Sequence, residues 1–215
     1  MITVLLAATA LLSPSASAEQ TVELIPSDDV WVYPRAADQD RDEYLRVWGA
    51  SDAAVASSVE ESEEFGYALL RFSLADVPKD KTLKAATLVV IHIPKPAFTL
   101  AQAIEHPMEV RPVPGGFKEK DWNYEQLSKF MPQAGKSAAL GSGSPETIDG
   151  EKGFSIKLDL MKGPASFAKY LGAALPTGAL HLSLASTISP DEGVYKIFSK
   201  DGPKDSRPVL HLTFE

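Results

Sequence analysis

The chain has 215 residues, no cysteine and a formal net charge of −8. The missing cysteines exclude disulfide stapling and thiol catalysis, and the acidic balance argues against nucleic acid and anionic membranes as partners, since both demand clustered Lys and Arg. A chain of this length buries roughly 70% of the surface its unfolded form exposes, enough for one domain held together by its own core.

The first eighteen residues carry no charged side chain. An apolar run from Ile2 to Leu12 leads to Pro14 and then to Ala16-Ser17-Ala18. This is the shape of a secretory signal peptide with cleavage after Ala18, although no Lys or Arg precedes the apolar run. A crossing helix needs about 20 apolar residues, so the run is too short to span a bilayer. The expectation is a secreted or periplasmic protein comprising residues 19–215, without membrane insertion. No cysteine follows the cleavage point to accept a lipid anchor.

Beyond the signal, short stretches alternate apolar and polar residues with a period of two, as half-buried strands do. They are Val30 to Tyr33, Tyr44 to Trp48, Tyr67 to Leu74 and Ala86 to Ile93, then Val110 to Val113, which ends in the turn signal Pro114-Gly115-Gly116. Phe154 to Leu158, Ala179 to Ala185, Tyr195 to Phe198 and Val209 to Phe214 complete the set. So many short strands separated by turn residues predict a sandwich or a barrel. Helical spacing of Phe167, Tyr170, Leu171 and Ala174 predicts a helix over Pro164 to Leu175, and Asp121 could cap a shorter one running to Phe130. The polar stretch 50–64, with Glu60, Glu61, Glu63 and Glu64, reads as a solvated loop. Residues 131–150, rich in Gly, Ser, Ala and Pro, read as a flexible loop. No internal repeat is visible.

The order of these segments resembles the DNRLRE, or disaggregatase-related, β-sandwich domains grouped with carbohydrate-binding module family 96. The resemblance rests on Asp29-Val30-Trp31-Val32, on Tyr44-Leu45-Arg46-Val47, and on the block from Ala68 to Leu74 followed by Val77-Pro78 and Ala86-Thr87-Leu88. Phe117-Lys118-Glu119 with Trp122-Asn123, Leu158-Asp159-Leu160, and Phe198-Ser199-Lys200 with Arg207-Pro208-Val209-Leu210 continue it. Two positions depart from the pattern: Phe117 stands where it has Trp, and Lys200 where it has an acidic residue. The resemblance spans nearly all of residues 19–215. It implies an all-β fold, a jelly-roll β-sandwich of about 8–10 antiparallel strands with one or two short helices. It also implies a non-catalytic module of the kind attached to polysaccharide-degrading enzymes or surface proteins.

Sugars lay their apolar ring faces on exposed aromatic side chains, with polar neighbours bonding the hydroxyls. If Leu45 and Val47 face the core, Arg46 and Trp48 face out, and Trp31 shares a face with Tyr33. Trp31, Tyr33, Arg46 and Trp48 are therefore the candidate carbohydrate-binding residues, while Trp122 reads as a structural ring closing a loop. Asp38, Asp40 and Asp42 fall at alternate positions, and Asp28 and Asp29 could join them around a structural Ca²⁺, which takes six to eight oxygen ligands. Glu43 occupies the position where an EF-hand loop has Gly, and the competing reading is a solvated acidic turn. His92, His181 and His211 each lie in a predicted strand; on neighbouring strands they could converge on a transition metal, and otherwise they are polar residues of a sheet.

No G-x-S-x-G or H-E-x-x-H motif occurs, and no carboxylate pair is marked out by its surroundings. Gly141-Ser142-Gly143-Ser144 lacks the strand and Lys of a phosphate loop. The expected function is a secreted, non-catalytic carbohydrate-binding protein recognising an extracellular or cell-wall polysaccharide. The alternative is a structural or adhesive surface module that binds other surface or secreted proteins. A metal-dependent enzyme built on the histidines is the third reading.

Overall fold

The structure is a computed structural model that describes residues 19–33, 42–50, 65–121, 124–127 and 129–215. The expected signal peptide, the loop residues Asp38 and Asp40, the glutamates of 60–64, Trp122 with Asn123, and the side chain of Asp121 lie outside the described residues.

The strands are β1 (Gln20–Leu24), β2 (Asp28–Val32), β3 (Tyr44–Val47), β4 (Tyr67–Ser73), β5 (Leu83–His92), β6 (Met108–Pro112), β7 (Gly141–Gly143), β8 (Phe154–Asp159), β9 (Ala179–Ala185), β10 (Tyr195–Phe198) and β11 (Val209–Phe214). Among the described residues three short helices accompany them: α1 (Leu100–Glu105), α2 (Tyr124–Leu127) and α3 (Phe167–Ala174). All strand pairs are antiparallel. β3 pairs with β10, β4 with β9, β5 with β8 and β6 with β7. This nesting of outer pairs around inner pairs is jelly-roll connectivity, so the fold is an all-β sandwich as expected.

One layer runs β1-β11-β5-β8, with β10 meeting the far end of β5 and β3 outside it; the other runs β7-β6-β9-β4-β2. The layers join where Ser142 of β7 pairs with Asp159 of β8. Alternate residues of both layers fill one core: Leu88, Val90, Ile156, Leu158, Leu210 and Leu212 from the first, and Leu70, Phe72, Met108, Val110, Leu180 and Leu182 from the second. The strict alternation of β5, β8 and β11 follows, because their other face meets water.

β4 breaks that alternation for a physical reason. Ala68, Leu70 and Phe72 enter the main core, while Tyr67 and Leu69 pack outward into a second cluster with Val30, Val32, Phe65, Val113, Phe117 and Leu127. The segment after β6 thus covers the outer face of the second layer, and a strand buried on both faces reads as a continuous apolar run.

The predicted helix begins later than expected. Ser166 caps α3 by accepting from the Lys169 N–H at 3.3 Å, and Phe167 and Leu171 face the core. α1 was not anticipated, although Thr99 and Gln102 form a reciprocal capping box at its start. The reading of 131–150 as a flexible loop is corrected. The segment contains a 3₁₀ turn at Lys136–Ala138, the strand β7, and buried Ala138, Ala139 and Leu140. Gly141 and Gly143 lie against the backbone carbonyls of Asp159 and Lys157, where a Cβ would collide. The small residues serve close backbone approach here.

Candidate functional site

Trp31, Tyr33, Arg46 and Trp48 do meet, but not as the outward platform the alternation implies. The Trp31 ring lies 6.1 Å from both Tyr33 and Trp48, and Tyr33 lies 5.2 Å from Trp48. Trp31 and Trp48 are only 6% and 7% exposed and belong to the main core. This corrects the expected exposure of both indoles. Trp48 leaves the β3 alternation by bridging to Gly66, and its ring fills the space that a side chain at Gly66 would take. Trp31 projects from β2 toward the core while its neighbours Val30 and Val32 face the second cluster.

Arg46 roofs this group: its guanidinium carbon sits 4.9 Å from the Trp31 ring centre, and its Nη2 lies 3.6 Å from Asp42. Asp42 also accepts from the Trp31 indole N–H at 3.2 Å. The cluster closes the sandwich edge between β2 and β3, where Tyr33, Arg46 and Asp42 keep partial exposure. Gly66→Ala is expected to destabilise the fold by about 1–3 kcal/mol, since the added methyl meets the Trp48 ring. Denaturant unfolding followed by tryptophan fluorescence measures it.

The acidic residues divide among three places. Asp28 accepts from Arg71 Nη1 at 2.6 Å, from the Ser27 hydroxyl at 2.9 Å and from the Glu119 N–H at 3.2 Å. Burial pushes its pKa up, but these hydrogen bonds and the guanidinium outweigh burial and hold it below the ordinary value. Asp42 belongs to the indole cluster. Of the three proposed ligands among the described residues, Asp29 alone joins a group with ligand spacing. Asp29, Glu119 and Asp201 each bring a carboxylate oxygen to within 4.8 Å of the others, an arrangement that could hold a metal ion.

Glu119 and Asp201 were not singled out in the sequence because they lie far from Asp29 along the chain. Within the group, Asp29 accepts from the Lys200 backbone N–H at 2.6 Å. The Lys200 ammonium contacts Glu119 at 3.0 Å and Asp201 at 2.6 Å. Burial pushes the Asp29 carboxyl up to about 7 and raises Glu119 as well. Burial works against the Lys200 ammonium, yet Asp201 and Glu119 raise its pKa. The group therefore carries its own cation, at the position where the resembled pattern has an acid.

The three strand histidines occupy three separate environments, so the expected possibility of convergence on a metal is corrected. His92 is buried in the core, stacked on Phe154 at 4.7 Å and edge-on to Phe98 at 5.2 Å. Its Nε2 accepts from the Lys196 N–H at 3.0 Å, which assigns the proton to Nδ1, 2.6 Å from the Ile93 carbonyl. Burial lowers its pKa to about 4. His181 lies on the outer side of the second layer, where its Nε2 accepts from the Gly116 N–H at 3.2 Å beneath the covering segment. His211 lies on the outer side of the first layer, 3.3 Å from Glu23. The expectation that His181 and His211 point away from the core holds, but they do so on opposite faces.

The two outer faces differ. That of the second layer is covered by Val113, Phe117, Leu127, Phe130 and Met131, and α3 is tied to this layer by its Tyr170 hydroxyl, which donates to the His181 carbonyl at 2.6 Å and lies 3.2 Å from that of Val113. On the first layer, the cross-strand register sets Asp159, Thr87, His211 and Glu23 in one row and Lys157, Val89 and Val209 in the next. Ser155 stands beside Ile91 in a third row. These side chains are half-buried or exposed, and nothing among the described residues covers them.

A scan against protein-family models finds no match to the chain, and a search of curated proteins finds no similar one.

Proposed function

We propose that the protein is a secreted or periplasmic, non-catalytic carbohydrate-binding protein that recognises an extracellular or cell-wall polysaccharide. The observation that carries this reading is the uncovered outer face of the β1-β11-β5-β8 layer. It offers hydroxyl, carboxylate and imidazole groups in rows among β-branched side chains, over a rigid sheet. Such a surface suits a ligand with alternating hydroxyls and C–H faces. Jelly-roll connectivity and the motif resemblance to family 96 modules point the same way. Burial of Trp31 and Trp48 moves the proposed contact surface away from the β2–β3 edge. Affinity on the order of millimolar to micromolar, about 4–8 kcal/mol, is expected for such a shallow surface.

Co-sedimentation of residues 19–215 with insoluble cellulose, xylan, chitin and mannan tests the reading. Retention released by the matching soluble oligosaccharide is expected, and failure to sediment with any of them would overturn it. The half-buried Val89, Ile91 and Val209 on the same face favour, as a second reading, an adhesive surface for another secreted or surface protein.

A structural Ca²⁺ at Asp29, Glu119 and Asp201 would have to displace the Lys200 ammonium, which already balances charge there. The thermal midpoint is accordingly expected to be the same in EDTA and in millimolar Ca²⁺. A fall of several degrees on chelation would give this place to the ion.

A further inference from the structure

We propose that the sugar-binding subsite is the open cleft at the β7–β8 edge of the uncovered face, and that it takes a neutral pyranose unit. The inference rests on the carbohydrate-binding reading above and gives that reading a location. The cleft has a volume of about 240 Å³ and is lined by Ser144, Glu146, Thr147, Phe154, Ser155 and Lys157. Its walls are fixed: Pro145 bridges to Ile156, and the Ser144 hydroxyl is spent on the Ala103 carbonyl at 2.8 Å. Its base is fixed as well, because Phe154, a core ring, stacks on His92 at 4.7 Å with the ring planes 5° apart.

The remaining polar lining is unengaged. Among the described residues, the side chains of Glu146, Thr147, Ser155 and Lys157 make no hydrogen bond or ion pair, and the carboxylate and ammonium are not paired with each other. Elsewhere on this protein the exposed charges Lys84 and Glu215, or Lys162 and Asp159, find each other across the surface. Two free charges of opposite sign and two free hydroxyls, gathered in a single cleft, match a polyhydroxylated ring. The carboxylate accepts from vicinal hydroxyls, and the ammonium donates to hydroxyl or ring oxygen. Because Glu146 and Lys157 offset one another, the ligand carries no net charge. Ser155 and Lys157 also belong to the uncovered face, so a chain leaving the cleft continues over Ile91 and Val89.

Calorimetric titration with cellohexaose, xylohexaose, mannohexaose and chitohexaose, using the wild type and the double variant Glu146→Gln/Lys157→Met, tests the inference. Both substituted residues are exposed, so unchanged circular dichroism and melting are expected. The expected result is at least a tenfold loss of affinity for whichever oligosaccharide binds. In the wild type, amide resonances of 144–147 and 154–157 should shift with that oligosaccharide. Equal affinity of variant and wild type, with those resonances unmoved, would overturn the cleft while leaving the carbohydrate reading in place. Absence of wild-type binding to all four would overturn the carbohydrate reading and the cleft with it.

Discussion

Arg111→Ala is expected to lower stability by about 3–5 kcal/mol, among the largest single-residue effects in the molecule. Arg111 lies within β6 and is 2% exposed. Its Nε and Nη2 reach the Glu109 carboxylate at 2.8 and 2.7 Å, and its Nη1 donates to the carbonyls of Gln133 and Gly135 at 2.8 and 3.2 Å. Truncation strips the half-buried carboxylate and both carbonyls of their donor, and an unpaired buried group costs far more than the pair contributes. Because those carbonyls belong to the segment leading into β7, the loss should also loosen β7 and the β7–β8 joint. Urea unfolding of the variant measures the first effect, and hydrogen exchange over 133–143 the second. A Glu109→Met/Arg111→Met double variant should recover much of the loss, since replacing both partners leaves no orphaned charge. A single variant as stable as wild type would remove Arg111 from this role.

Asp29→Asn should change how stability depends on pH. Burial holds His92 neutral, with a folded pKa of about 4 against 6.5 unfolded. Its contribution is complete above pH 6.5 and is lost as pH falls from 6.5 toward 4, by about 3 kcal/mol for a shift of about 2.5 units. Asp29 acts in the opposite sense. Burial raises its folded pKa to about 7 from 3.8, so the fold keeps a proton that the unfolded chain releases. Stability from this group is lost as pH rises from 3.8 to 7, by about 4 kcal/mol for a shift of about 3 units. Between pH 4 and 6.5 the two slopes largely cancel, and wild-type stability is expected to change little on their account. Asparagine mimics the protonated carboxyl and can still accept from the Lys200 N–H. The variant should match wild type near pH 4, exceed it at pH 7, and fall steeply on acidification as the His92 contribution stands alone. Chemical denaturation at half-unit pH steps distinguishes the profiles, and parallel curves would contradict this account of Asp29.

Period-two alternation located the strands that face water on one side. β5, β8 and β11 keep it because their outer face is uncovered. Alternation failed to orient the indoles. Trp48 lies one residue past β3, where the chain turns to bridge with Gly66, and a two-residue period carries no information beyond a strand's end. β7 was hidden by its own composition, since glycines that permit close backbone approach look the same in sequence as glycines that permit motion. The start of α1 was readable, because Thr99 and Gln102 have capping-box spacing. The carboxylate group was not. Asp29, Glu119 and Asp201 are brought together only by the jelly-roll crossings, and no local pattern announces such a meeting.

The central claim is that ligand binds on the outer face of the β1-β11-β5-β8 layer. The absence of native cysteine makes a direct test simple, because one introduced thiol is unique. Thr87→Cys lies at the middle of that face and Lys169→Cys on α3, outside the strands that form it. Each is coupled to a polyethylene-glycol maleimide and assayed by co-sedimentation with the polysaccharide the wild type retains. Coupling at position 87 is expected to abolish retention while coupling at 169 leaves it intact. Undiminished retention with the polymer at 87 would contradict the account.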